Sequence, residues 1–256
     1  MNLPFASNFL PQLIDIAVAA GAKIMEIYGS DFASGLKSDA SPVTAADTAA
    51  ETYIIAQLKR HFPNIPIIAE EQQAAGQQIK VANHFFLVDP LDGTKEFISR
   101  NGEFTVNIGL INNGQPISGV VYAPALNEIY AGEAGIGAFR AQSPNLQFTA
   151  IKTRHCPTLG PTILASRSHR DAQTEAFITA QKPAAVSNAG SSLKFCRLAE
   201  GRADLYPRFG RTMEWDTAAG HAVLSAAGGK LIKPDGSPFI YGKPDYANGP
   251  FIAMGK

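Results

Sequence analysis

Three short segments gather acidic residues at places where the chain must turn. Asp89-Pro90-Leu91-Asp92-Gly93-Thr94 follows the apolar run Phe85-Phe86-Leu87-Val88, Glu70-Glu71 follows Ile67-Ile68-Ala69, and Glu214-Trp215-Asp216-Thr217 precedes an apolar helical pattern. An apolar strand buries its body, so carboxylates at its tip are held rigidly at a mouth that ions and substrate reach. Such carboxylates repel one another, and a hard divalent cation with oxygen ligands, magnesium above all, relieves the repulsion without cysteine or histidine. Asp89 and Asp92, three apart across a proline turn, can share one ion or bridge two, while Gly93 lets the backbone approach a phosphate and Thr94 adds a hydroxyl. Taken singly, each segment also reads as a turn or a solvated edge, and Asp216 or Thr217 as the cap of the following helix. The two readings of the third segment are compatible, because a carboxylate at a helix N-terminus still coordinates a cation and the helix dipole favours a phosphate beside it.

The elements that must hold these residues are readable from periodicity. Leu10, Leu13, Ile14, Ala17, Ile24 and Ile27 recur at helical spacing, with Gly29 where a C-terminal cap belongs. A second helix is expected from about Thr44 to Phe62, with Ile54, Ile55, Leu58 and Phe62 on one face and Pro63 as its stop. Short apolar runs then suit strands at Ile67 to Ala69, Phe85 to Val88, Phe104 to Ile111 and Ile117 to Tyr122. Asn113-Gly114 between the last two predicts a hairpin and an antiparallel sheet, extended by Glu128 to Ala131 and Gly137 to Arg140. The polar stretch 141 to 160, with Pro157 and Gly160, suits a boundary, so residues 1–150 are read as an α+β half and 151–256 as an α/β half. In the second half, strands at Thr162 to Ala165, Ala184 to Ser187 and Ala203 to Tyr206 alternate with helices at Ser192 to Glu200 and Thr217 to Ala227, the pattern of a layered unit.

Composition narrows the partners. The 256 residues carry 22 basic and 22 acidic side chains, and no run of five like charges offers a reason to bind nucleic acid or a membrane surface. Any anionic ligand must therefore be met locally. No uncharged apolar run reaches the ~18 residues needed to span a bilayer, and the N-terminus lacks a basic segment leading into an apolar one, so neither a membrane span nor secretion is expected. Cys156 and Cys196 show no metal-ligand spacing and read as two buried small hydrophobes in a reducing compartment, the cytoplasm, with peripheral membrane association still compatible.

Asp89-Pro-Leu-Asp-Gly-Thr94 together with Glu214-Trp-Asp-Thr-Ala-Ala-Gly220 resembles the paired signature of the inositol monophosphatase superfamily. Val43-Thr44-Ala45-Ala46-Asp47 and Glu70-Glu71 extend the likeness, which runs across nearly the whole chain. It implies the α-β-α-β-α layered sandwich of the inositol monophosphatase and fructose-1,6-bisphosphatase fold. Within that superfamily, Gly190-Ser191-Ser192-Leu193-Lys194 and Gly201-Arg202-Ala203-Asp204-Leu205-Tyr206-Pro207-Arg208-Phe209-Gly210 resemble the nucleotide-binding segment of the bacterial 3'(2'),5'-bisphosphate nucleotidases of sulfur assimilation. Inositol phosphatases carry an acidic residue where this chain has Arg208 and lack a basic one at Lys194. Two cations there suit a second phosphate, although solvated surface is the common fate of such residues.

The resemblance implies one magnesium ion on Glu70, Asp89 and the Leu91 carbonyl and a second on Asp89, Asp92 and Asp216, and the family admits a third, weaker ion near Glu70. It implies that Thr94, hydrogen-bonded to Asp47, helps Glu70 orient and deprotonate an attacking water, with no phosphoenzyme. Gly93 and Asp216 would contact the substrate, Ser191, Lys194 and Arg208 would hold its 5' phosphate, and His169 would approach the base or ribose. Adenosine 3',5'-bisphosphate is the implied substrate, inhibition by lithium is expected, and both monomer and homodimer remain open. An inositol monophosphatase is the alternative within enzymes, and a catalytically silent metal- or nucleotide-sensing protein the alternative outside them. A haloacid-dehalogenase-type phosphatase fails because its two aspartates lie two apart rather than three. A phosphate-loop enzyme fails for want of Gly-x-x-x-x-Gly-Lys-Ser/Thr, and Gly135-Ile136-Gly137 lacks the third glycine of a dinucleotide loop, Arg140 standing there.

Overall fold

The computed structural model describes residues 7–29, 45–77, 79, 82–166 and 170–256. Helix α1 (Leu10–Tyr28) opens with Pro11, whose missing amide costs nothing in a first turn, and buries the Leu13, Ile14, Ala17 and Ile24 stripe. Gly29 follows it but stays right-handed, φ −76°, its N–H donating to the Met25 carbonyl at 2.9 Å, so the helix ends without the left-handed cap that a glycine suggests. Helix α2 (Ala45–His61) buries Ile54, Ile55 and Leu58 and ends in Lys59, Arg60 and His61, cations that suit the negative end of the helix dipole.

The first sheet follows, with helix α3 (Glu70–Ala74) between strands β1 (Ile67–Ala69) and β2 (His84–Asp92). Helix α4 (Thr94–Ile98) leads to β3 (Thr105–Asn112), β4 (Gln115–Ala123), β5 (Glu128–Glu133), β6 (Gly137–Gln142) and β7 (Thr149–Ile151). The seven strands lie in chain order, β1 parallel to β2 and the rest antiparallel. Asn113 and Gly114 take φ values of +49° and +74°, the left-handed pair that a tight β3–β4 hairpin requires. Two expectations are corrected here: β2 does not stop at Val88 but runs through Asp89 and Asp92, and β7 lies inside the stretch read as a boundary.

The second sheet takes its strands from β8 (Thr162–Ala165), β9 (Ala185–Asn188), β10 (Leu205–Arg208), β12 (Lys230–Ile232) and β14 (Phe251–Met254), in the order β12-β14-β10-β8-β9. Strands β11 (Thr212–Met213) and β13 (Ala247–Asn248) form a separate ribbon. Helices α5 (Ala172–Ala180), α6 (Leu193–Ala199) and α7 (Glu214–Ala226) complete the chain. Helix α5 escaped the periodicity reading because its exposed polar turns show little apolar stripe, and α7 starts at Glu214, three residues ahead of expectation.

The layers run α1 and α2, first sheet, α6 and α7, second sheet, α5, an α-β-α-β-α sandwich. Thus two helices from the later part of the chain pack on the sheet built by the earlier part. Gly109, Gly119 and Gly132 sit opposite one another on β3, β4 and β5 and let α7 come close. A Cβ built on them would lie 2.8 Å from Ala218 Cβ, 2.7 Å from the Ala219 carbonyl oxygen and 2.6 Å from Val223 Cα respectively, distances that real side chains do not tolerate. This bare stripe fixes where the N-terminus of α7, and with it Asp216, meets the first sheet. Cys196 is buried as expected, but Cys156 is exposed in the connection before β8, where no packed element covers it.

Candidate active site

Strand register brings the first carboxylates together. Ala69 pairs with Val88 in the parallel β1–β2 ladder, so Glu70 and Asp89 emerge side by side. Asp89 is only 2% exposed, and its Oδ1 accepts the Leu91 N–H at 3.0 Å. The β2–β3 ladder then slips between Asp89 and Asp92, a bulge that re-aims the strand end. Gly93 turns the chain into α4 at φ +92°, and a Cβ there would run into Ser191 Oγ. Thr94 follows as the first residue of α4, and Asp47 is buried near the start of α2.

Asp216 enters from the other half of the chain as the third residue of α7, its Oδ2 accepting the Met213 N–H at 2.8 Å. The cap reading is seen directly, and it leaves the metal reading compatible, since the bond uses one of the two carboxylate oxygens. Glu214, from the same acidic segment, has another task. It is fully buried, accepts the amides of Gly242 and Lys243 at 2.8 and 3.0 Å, and pairs with Lys243 Nζ at 2.6 Å.

The electrostatics of this group are those of like charges crowded in a dry place. Burial, then the charges of Asp47, Asp92 and Glu71, push the Glu70 carboxyl up to about 8. Burial and then Glu70, Asp92, Asp216 and Asp47 hold Asp89 well above the carboxylate range. Asp216 is raised the same way by burial and Asp92, and Asp92 is raised by burial, with Lys194 opposing. A divalent cation inverts this penalty, because it favours every ionised oxygen that faces it. The donors are all hard oxygens, which fits magnesium or a cation like it. Among the described residues no three His, Cys, Asp or Glu side chains form a ready-made metal cage, so the fit rests on donor chemistry and mutual repulsion.

Beside the carboxylates opens a cleft of about 260 Å³ whose walls include Thr94, Ser191, Lys194, Tyr206, Arg208 and Asp216. Lys194 is 5% exposed, donates to the carbonyls of Ala189 and Ser191 at 3.1 and 2.7 Å, and lies 5.2 Å from the Tyr206 ring centre. Burial lowers its ammonium to about 8, with Asp92 opposing the fall and Arg208 adding to it. It is therefore a cation held at a cost, not a solvated one. Arg208 Nε donates to the Gly210 carbonyl at 3.3 Å, which turns the guanidinium along the cleft wall. The Ser191 hydroxyl lies 2.8 and 2.7 Å from the carbonyls of Asp92 and Glu103, tying the second half of the chain to the end of β2. A second cavity, of about 630 Å³, opens at Glu70, bounded by Gln73, Met213, Trp215 and Tyr246.

The structure thus brings Asp47, Glu70, Asp89, Leu91, Asp92, Gly93, Thr94, Ser191, Lys194, Arg208 and Asp216 into one region. His169 lies outside the described residues, as do Val43 and Thr44. Sequence reasoning missed Asn107 and Ser192. Asn107, opposite Asp89 on β3, donates through Nδ2 to Asp92 Oδ2 at 3.3 Å and to Ser192 Oγ at 3.2 Å, and Ser192 Oγ donates to the Asp216 carbonyl at 2.7 Å. Asn107 Oδ1 is buried without a partner. A fully buried amide in an otherwise apolar strand was the available signal.

Fold and site together define a phosphoesterase scaffold with crowded buried carboxylates beside a cleft. The chain belongs to the inositol monophosphatase family, whose model matches residues 6–253. Among relatives, the 3'(2'),5'-bisphosphate nucleotidase CysQ of Escherichia coli strain K12 is 44% identical over 236 residues, 91% of this chain and 93% of that protein. The CysQ of Haemophilus influenzae is 30% identical over 98% of this chain and 94% of its own. The crystal structure of CysQ from Bacteroides thetaiotaomicron superposes with a TM-score of 0.84 at 38% identity, covering 100% of this chain and 99% of the other. An inositol monophosphatase from Anabaena superposes at 0.76 with 32% identity over 96% of this chain and 90% of its own.

Proposed function

We propose that this protein is a magnesium-dependent 3'(2'),5'-bisphosphate nucleotidase that hydrolyses adenosine 3',5'-bisphosphate to AMP and phosphate. The observation that carries the reading is one cleft whose wall bears Thr94 and Asp216 together with two cations, Lys194 and Arg208. A single phosphate over the carboxylates leaves those cations without a task, and a second phosphate gives them one. Glu70, Asp89 and the Leu91 carbonyl would hold one magnesium and Asp89, Asp92 and Asp216 another. Bound there, the metal supplies Lewis acidity that acidifies a water and shields charge on the phosphate.

The residues divide the remaining work. Glu70 accepts the proton of the attacking water, with Thr94 and Asp47 orienting it. Gly93 lets the backbone approach the scissile phosphate, where any side chain would strike Ser191. Lys194 and Arg208 take the 5' phosphate, and Ser191, just ahead of α6, braces the turn that leads into the Lys194 helix. His169 is assigned to the base or ribose by the family likeness alone. No helix among the described residues is long and apolar enough to cross a membrane.

The test compares phosphate release from adenosine 3',5'-bisphosphate and inositol 1-phosphate, with and without magnesium, for the wild type and Arg208→Glu. The expected result is preference for the nucleotide, cut about 10- to 100-fold by a substitution that replaces attraction with repulsion. Preference for inositol phosphate would overturn the substrate assignment and keep the metal site, and no magnesium-dependent release from either would leave a silent binding protein.

A further inference from the structure

We propose that Glu51 is a positioning residue that sets the orientation of Glu70 by gripping the two amides that follow it. The proposal rests on reading Glu70 as a metal ligand and proton acceptor. Glu51 lies one helical turn beyond Asp47 on α2, so both side chains project from the same face. It is 5% exposed, and its two carboxylate oxygens accept separate bonds: Oε2 from the Glu71 N–H at 2.8 Å and Oε1 from the Gln72 N–H at 3.0 Å. These amides belong to the second and third residues of α3, a first turn that leaves its donors without partners inside the helix.

A carboxylate is costly to bury, and an apolar residue would pack against α3 without that penalty. What the carboxylate adds is a fixed, two-point hold, because ionised acceptors bind backbone N–H groups about twice as strongly as neutral ones. Helix α3 needs such a hold. It is five residues long, too short to be stable by itself, and it begins at a residue repelled by Asp47, Asp92 and Glu71. Without an anchor, the first turn would yield to that repulsion and swing Glu70 away from Asp89. With Glu51 in place, the approach of Glu70 to Asp89 is set before any cation arrives, so the ion meets a partly assembled group of ligands.

The test uses full-length Glu51→Gln, which keeps the shape and one acceptor oxygen, and Glu51→Leu, which keeps neither acceptor. Amide hydrogen exchange across 70–74 reports the hold, calorimetric titration of substrate-free protein with magnesium reports ligand assembly, and kinetics with the bisphosphate report its consequence. Exchange across 70–74 is expected to accelerate in both variants, most in Leu, with magnesium affinity and kcat falling about 10- to 100-fold in Leu and less in Gln. KM for the nucleotide, which the proposed function assigns to Lys194 and Arg208, is expected to move by less than about threefold. Faster exchange with unchanged magnesium affinity in both variants would overturn the proposal and leave Glu51 a merely structural clamp. The magnesium titration needs no turnover, so it decides the role of Glu51 even if the wild type releases no phosphate, the result that sinks the nucleotidase reading instead. If Glu51→Leu does not fold, the Gln variant carries the same comparison.

Discussion

The two walls of the site face one ligand but are held together by different forces. On the side of α3, β2 and α7, four carboxylates from three elements are pressed together against their own repulsion, and Glu70, Asp89, Asp92 and Asp216 are all raised in proton affinity by burial and by one another. On the side of α6 and β10, a lysine is buried with its ammonium lowered to about 8, supported by two carbonyls and an aromatic face. The first wall is incomplete without a cation and the second without an anion. A magnesium-bound phosphate and a second phosphate satisfy both at once. The acidic wall should therefore govern turnover and the basic wall recognition.

The most severe way to break that division is Asp89→Asn, since Asp89 bridges both proposed ion positions. Hydrolysis is expected to fall about 10³-fold, the equivalent of the several kcal/mol that a bound metal contributes to the barrier. The same variant should melt higher than wild type in chelator, because one of the crowded charges is gone. Loss of activity together with a lower melting temperature would contradict the view that the acidic wall is strained without metal.

Lys194→Met tests the other wall. Its expected effect is a rise in KM for adenosine 3',5'-bisphosphate of about 10- to 100-fold, the range for removing one member of a buried charged contact, with kcat little changed. Hydrolysis of a monophosphate such as inositol 1-phosphate should change by less than about threefold by the same reasoning. An equal loss on both substrates would show that Lys194 serves the reacting phosphate and would erase the distinction between the walls.

The smallest effect concerns stability against pH. Glu70 has its carboxyl raised from 4.5 to about 8 in the folded protein, so the folded state holds a proton that the unfolded state releases. Its contribution is fully present below pH 4.5 and is lost as the pH rises through about 8. Metal-free protein should accordingly lose melting temperature across that window, and saturating magnesium should flatten the curve. An equally steep decline with magnesium would mean that the ion does not sit among these carboxylates.

Much of this was legible in the chain. Asp89, Asp92 and Thr94 announced themselves because a proline and a glycine punctuate an acidic tip on an apolar strand, and Asn113-Gly114 announced the hairpin because only a left-handed pair closes it. Glu214 and Asp216 stood two residues apart in one acidic segment, yet one is a wholly buried brace for residues 242 and 243 and the other faces the cleft. Spacing along a helix does not reveal what packs against each side. Glu51 was silent for a similar reason, and Asn107 showed only as an amide in an apolar run: each looks like an ordinary polar residue until α3 or Asp92 is placed beside it.

By itself the sequence determined the local elements, the turn chemistry at Gly93 and the hairpin, the residue types available for metal and phosphate, and the family. These follow from short-range sterics and from side-chain chemistry, which travel with the residues. Only the tertiary structure decided that β1 and β2 lie in a register aligning Glu70 with Asp89. The glycine stripe on β3, β4 and β5, invisible as a stripe until those strands pair, admits α7 and so brings Asp216 to carboxylates more than a hundred residues earlier in the chain. The burial of Lys194 was likewise decided there, because burial and electrostatic strain belong to groups brought close across long sequence separations, and only packing brings them close.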